Sequence, residues 1–215
     1  DKKNRTITIN QNFFYNKLNK NFDSKAVTKD RTVRGTRYKS EVSISKEKGF
    51  GVHTINNDEG NEWTVTFNAE FIGVEGDEAV DKALKDDPTA NKMTYDENIS
   101  SAGQWDSQNR NMKIGRNRDW ISNRRGTTFI HEQGHSWGLP HENEIPGSPI
   151  YGDRANGKNS DANNGIMSYS WSRSVKTNEV KYGATRIMNK ANQSSKTIVK
   201  IHVVGSKREN KILNK

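Results

Sequence analysis

Three of the chain's five histidines fall within eleven residues, at His131, His135 and His141, with Glu132 beside the first and Gly138 between the last two. Imidazoles four residues apart lie on one face of an α-helix, about 6 Å of axial rise from each other, so both rings can converge on one cation. Glu132 is turned off that face by about 100°, near enough to reach a water on the cation without ligating it. A third ligand six residues after His135 cannot come from the same helix at the right height. Gly138 supplies the exit, because a glycine just past a helix end adopts the left-handed conformation cheaply. Pro140 then stops the helix from resuming, and His141 can swing back.

Three neutral imidazoles on Zn²⁺ leave a fourth position open, the arrangement of a catalytic rather than a structural site. A water there is acidified toward neutrality, and a carbonyl there is polarised. Glu132 is placed to take the water's proton as general base and return it to a leaving amine. The spacing therefore points to metal-assisted hydrolysis of an amide bond. HExxH alone arises by chance on amphipathic helices, and it is the addition of Gly138 and His141 that makes the zinc reading strong.

The run from His131 to His141, "HEQGHSWGLPH", matches HExxHxxGxxH and resembles the metzincin clan of zinc endopeptidases. The clan also carries a methionine-containing turn downstream, and "NNGIMSYS" (163–170) is similar to it. The resemblance implies that Met167 forms an apolar floor under the three ligands. It also implies that Tyr169 binds the metal or hydrogen-bonds the oxyanion, as the equivalent tyrosine does in astacin-like and serralysin-like families. It covers residues 127–171, about a fifth of the chain. The implied fold is α+β: a single metallopeptidase domain over 1–215, with a twisted mixed β-sheet and the active-site helix in an N-terminal lobe (about 1–138). An irregular C-terminal lobe (about 139–215) would hold the Met-turn and a terminal helix. Glu142 follows the third histidine as in astacins, but the rest of that family's pattern is missing. On the residues alone it reads as a surface ion-pair partner.

The elements that must position this segment are read from periodicity. "TITINQNFFY" (6–15) opens with the alternation of a strand, and "YKSEVSIS" (38–45) alternates around Val42 and Ile44. "FGVHTI" (50–55) and "EWTVTFNAEFIGV" (62–74) flank the turn-like "NNDEGN" and read as a hairpin. "GDEAVDKALKDD" (76–87) is a helix with acids in its first turn and Pro88 after its end. Residues 16–37 carry no clear pattern, and residues 88–110 are too polar to hold an edge strand. "NMKIG" (111–115) reads as the last strand before the histidines. Past residue 145 the chain turns irregular, then "TNEVKYGATRIMNKANQ" (177–193) puts Val180, Ala184, Ile187, Met188 and Ala191 on one helical face. "KTIVKIHVV" (196–204) reads as a strand.

The bulk numbers bound the rest. At 215 residues with 30% hydrophobic content and 26 asparagines, the chain supports a modest core and many turns. There are no cysteines, so disulfides and thiolate metal sites are excluded. The net charge of +9 leaves an anionic partner open. Yet the clusters Arg31, Arg34, Arg37, Lys39 and Arg110, Lys113, Arg116, Arg118, Arg124, Arg125 accompany no nucleic-acid-binding motif, and a solvated basic surface explains them better. No apolar run is long enough to span a bilayer, and no signal peptide is visible at the first residues. His53 and His202 lie on strand-like segments and read as unliganded. Asp153, Asn156, Asn159, Asp161 and Asn163 could hold a structural Ca²⁺, although their spacing departs from the EF-hand pattern and turn chemistry accounts for them equally.

The expectation is thus a monomeric, secreted or extracytoplasmic zinc endopeptidase acting on a protein or peptide substrate. Two alternatives stand beside it. One is a bacterial effector or toxin peptidase domain that acts on one specific protein. The other is a basic nucleic-acid or surface-binding module whose metal is structural.

Overall fold

A computed structural model of the chain describes residues 1, 3–24, 27–56, 60–99, 103–115, 127–146, 148, 151, 165, 167 and 175–195. In chain order the elements are β1 (Thr6–Asn16), α1 (Lys20–Ser24), β2 (Arg31–Val33), β3 (Thr36–Tyr38), α2 (Glu41–Lys48), β4 (Val52–Asn56) and β5 (Glu62–Val74). There follow α3 (Asp77–Asp86), β6 (Asn91–Asp96), β7 (Gly103–Asp106), β8 (Asn111–Gly115), α4 (Thr127–Ser136), a 3-10 turn at Glu142–Glu144 and α5 (Thr177–Ser195). The fold is α+β, with a six-stranded mixed sheet in the order β4-β5-β1-β6-β8-β7 and a separate β2-β3 hairpin. β6 runs parallel to β1 and to β8, while β7 is antiparallel to β8 and forms one edge of the sheet.

The chain divides into two compact units. One comprises Ile9–Gly51 and Phe67–Ser136. Its core is Phe13, Phe22, Val27, Met93, Met112, Ile114 and Phe129, with Tyr15, Val42, Ala69, Phe71, Tyr95 and Trp105 packed against it. Because side chains alternate across a strand, Met112 and Ile114 of β8 and Met93 of β6 share the face that meets α4 through Phe129. The other unit comprises Asp1–Thr8, Val52–Thr66 and Trp137–Lys215. There Ile55, Val65, Trp137, Leu139, Ile145, Met167, Val180 and Ala184 are buried, and α5 lies against β4.

The hairpin is present with Asn56 opposite Glu62 and Val52 opposite Thr66. β1, α3, β8, α4 and α5 also form where periodicity placed them. Ile187, Met188 and Ala191 lie on α5, but their side chains are outside the described residues, as is the whole of 196–204.

Two expectations fail. "YKSEVSIS" is not a strand: β3 ends at Tyr38 and α2 begins at Glu41. Ser40 caps that helix, its hydroxyl accepting from the Ser43 N–H at 3.1 Å, and Glu41 sits in the first turn where the helix dipole favours an acid. The polar stretch 88–110 does hold strands, β6 and β7. Its polar side chains are satisfied by neighbours: Lys92 pairs with Asp81 at 2.9 Å, and the Thr94 hydroxyl donates to Asn111 Oδ1 at 3.1 Å. A polar face with local partners forms strand without an apolar alternation to betray it.

Candidate metal centre

Helix α4 is held by both apolar and polar contacts. Phe129 and Ile130 are buried, and the Phe129 ring lies 4.9 Å from that of Phe71, which stacks in turn on Phe13 at 5.1 Å. On another face the Ser45 hydroxyl of α2 donates to Gln133 Oε1 at 2.8 Å, a buried pair. At the last turn Ser136 donates to Gln11 Oε1 of β1 at 2.8 Å. Such contacts fix a helix in rotation as well as position, and rotation decides where its histidines point.

His131 and His135 are half-buried, with their rings perpendicular (89°) and centroids 4.7 Å apart. Their Nε2 atoms lie 3.1 Å from each other. Nitrogens at two vertices of a tetrahedron around Zn²⁺, each about 2.0–2.1 Å from the ion, stand roughly 3.3 Å apart, so the observed pair fits one ion. His141 completes the group: one ring nitrogen from each of the three histidines falls within 4.8 Å of the others. The donor set is all imidazole, which suits Zn²⁺ along with other borderline divalent ions such as Cu²⁺ and Ni²⁺. The chain therefore has a histidine triad able to hold a metal ion.

Glu132, the next residue along the helix from His131, is buried. Removal from water pushes its carboxyl up to about 7, while a hydrogen bond from the Trp105 backbone N–H of β7 works in the opposite direction. A carboxyl with nearly equal affinity for having and lacking a proton at neutral pH is suited to passing one in both directions.

The exit from α4 takes the form the spacing requires. Gly138 has φ of 84°, in the left-handed region. Trp137 and Leu139 on either side of it are buried, so the turn is anchored by apolar side chains. Leu139 lies against Gly183 of α5, where a Cβ would come within 3.1 Å of Leu139 Cδ2. His141 then precedes the 3-10 turn in extended conformation, with φ −63° and ψ 154°.

Met167 is fully buried. Its carbonyl accepts from the Glu142 N–H at 2.9 Å, which ties it to the residue directly after His141. Glu142 is not a surface residue: it is 1% exposed, its Oε2 accepts from the Gly165 N–H, and its Oε1 accepts from the Ser148 hydroxyl at 3.1 Å. Glu179 of α5, which sequence reasoning missed, is 0% exposed and accepts from the Met167 N–H at 2.7 Å and the Lys176 N–H at 2.8 Å. A glutamate at the third position of a helix was a visible signal for capping. Nothing local announces its burial or its bond to Met167.

Tyr169, the five Asx residues of the 153–163 loop, and His202 lie outside the described residues. His53 sits on β4 and is not part of the triad. Of the basic clusters, Arg37 pairs with Asp30 at 3.0 Å, Lys39 with Glu47, and Lys113 with Asp106 at 3.2 Å, while Arg116, Arg118, Arg124 and Arg125 lie outside the described residues. Among the described residues no helix is long and apolar enough to cross a membrane. Compared with protein-family models, with curated proteins and with solved structures, the chain matches none.

Proposed function

We propose that the protein is a zinc-dependent endopeptidase of metzincin type, with His131, His135 and His141 as ligands and Glu132 as general base. The observation that carries this reading is the convergence of the three ring nitrogens at the end of a helix that exits through Gly138, with Glu132 next to the first ligand. Zn²⁺ held there supplies an open position at which a water is acidified and a carbonyl polarised. The chain's own part is to hold the rings and to move the proton. A Glu132 carboxylate oxygen takes a proton from water, a step that the affinity raised by burial favours, and the same oxygen later gives that proton to the leaving amine. Tyr169 is the proposed donor to the oxyanion. The metzincin layout is supported by a mixed sheet whose antiparallel edge strand β7 packs on α4, followed by the Met167 segment and a long terminal helix. The proposed substrate is a protein or peptide, and the proposed location is outside the cytoplasm.

The test is Glu132→Ala beside wild type, each loaded with zinc, on casein and on a peptide library read by mass spectrometry. The variant should keep one equivalent of zinc and lose hydrolysis by roughly 10²–10⁴-fold or more. Unchanged turnover by Glu132→Ala would refute the mechanism.

A further inference from the structure

We infer that Glu142 and Glu179 are positioning residues which lock His141 to the Met167 segment and thereby set how tightly the triad retains its metal, an inference that rests on the metal reading above. Both carboxylates are fully buried, where a charged group is tolerated only with several good hydrogen bonds. Their partners are mostly backbone. Glu142 uses its side chain to hold Gly165 and Ser148, and its own N–H to hold the Met167 carbonyl. Glu179 holds the Met167 N–H with one oxygen and the Lys176 N–H, at the start of its own helix, with the other. Gly165 and Met167 are therefore strapped to the neighbour of His141, and Met167 also to α5.

Gly165 shows how close the strap is. A Cβ there would overlap the Glu179 carboxylate, so the position excludes any side chain while that carboxylate is seated. The triad's first two ligands ride on α4, a helix with its own core. The third is in extended conformation just before a 3-10 turn of three residues and needs rigidity from elsewhere. Groups that orient a metal ligand without touching the ion commonly change metal affinity 10–100-fold when removed.

The two glutamates also predict different responses to an amide. Both Glu179 oxygens accept from backbone N–H groups, so Glu179→Gln leaves one N–H facing an NH₂. At Glu142 the Ser148 hydroxyl can reverse and accept from an NH₂, so Glu142→Gln keeps both bonds.

The experiment follows zinc release to a chromophoric chelator from wild type, Glu179→Gln, Glu142→Gln, Ser148→Ala and His135→Ala, with far-ultraviolet circular dichroism of each metal-free protein. Glu179→Gln should release zinc 10–100-fold faster with an unchanged dichroism spectrum, and Glu142→Gln within about threefold of wild type. Should Glu179→Gln not fold, Ser148→Ala decides: a severalfold faster release supports the strap, and a wild-type rate overturns it. Wild-type release from a folded Glu179→Gln also overturns it. Zinc retention that is the same in His135→Ala as in wild type brings down the metal reading itself, a different result from either.

Discussion

His131 Nε2 stands 3.1 Å from His135 Nε2, with the two rings at right angles. Two ring nitrogens that close on one helix are spaced like two vertices of a tetrahedral site, and the proton of any hydrogen bond between them gives way when an ion binds. Metal that binds only the folded state stabilises it by about 4 kcal/mol at a free concentration a thousandfold above Kd. For a chain of this length that is a rise in Tm of roughly 10 °C. Calorimetry with zinc and with chelator should show such a rise in wild type and none in His135→Ala. The same rise in both proteins would mean that zinc binds elsewhere.

Gly138 offers a test of the exit turn. Its φ is 84°, yet a Cβ there would meet nothing nearer than Arg186 Nε at 3.8 Å. The cost of Gly138→Ala is therefore backbone strain alone, about 1–2 kcal/mol, and Gly138→Asn should cost less because asparagine tolerates the left-handed region. Urea unfolding midpoints would rank the three proteins wild type, Asn, Ala. An alanine variant as stable as wild type would show that the turn relaxes to another conformation.

What was legible in the sequence was local. The spacing of His131, His135 and His141 and the place of Gly138 needed only helix geometry, the β4–β5 hairpin needed only alternation, and α3 needed only its first-turn acids and Pro88 after its end. Val42 and Ile44 misled because an i, i+2 pair fits a strand, while the information that decided for a helix was the Ser40 cap and a buried bond from Ser45 to Gln133, 88 residues away. β6 and β7 were hidden because Lys92 and Thr94 find partners on α3 and β8 rather than in water. Glu142 and Glu179 were hidden for the same reason in stronger form. Charge argues for a surface until the donors that compensate it are known, and two of them, the Gly165 N–H for Glu142 and the Met167 N–H for Glu179, lie 23 and 12 residues away.

Asp106 provides a pH test away from the histidines. Hydrogen bonds from the Asn109 side chain and backbone N–H, helped by Lys113, hold its carboxyl down at about 2. Its folded value is below its unfolded value, near 3.8, so the stabilisation it gives is complete above about pH 4 and is lost as pH falls through 2. Asp106→Asn should thus be less stable than wild type at neutral pH, with the gap in Tm closing between pH 4 and pH 2. A carboxyl titration by NMR with its midpoint at the ordinary value would contradict this.

Phe129 ties α4, the helix that carries His131 and His135, to the core, two residues before His131. It is fully buried against Phe71, so Phe129→Ala removes a ring that cannot be replaced by local collapse and should cost about 3–5 kcal/mol in denaturant unfolding. That is a large share of the roughly 5–15 kcal/mol typical of a folded domain. The loss should fall on metal binding too, because the rotation of α4 that decides where His131 and His135 point depends on this anchor as well as on the Gln133 and Ser136 bonds. Phe129→Leu keeps most of the volume and should cost under about 1.5 kcal/mol, with zinc affinity near wild type. If the alanine variant stays folded and binds zinc as tightly as wild type, the polar bonds alone orient the helix, and the aromatic stack serves stability without serving the site.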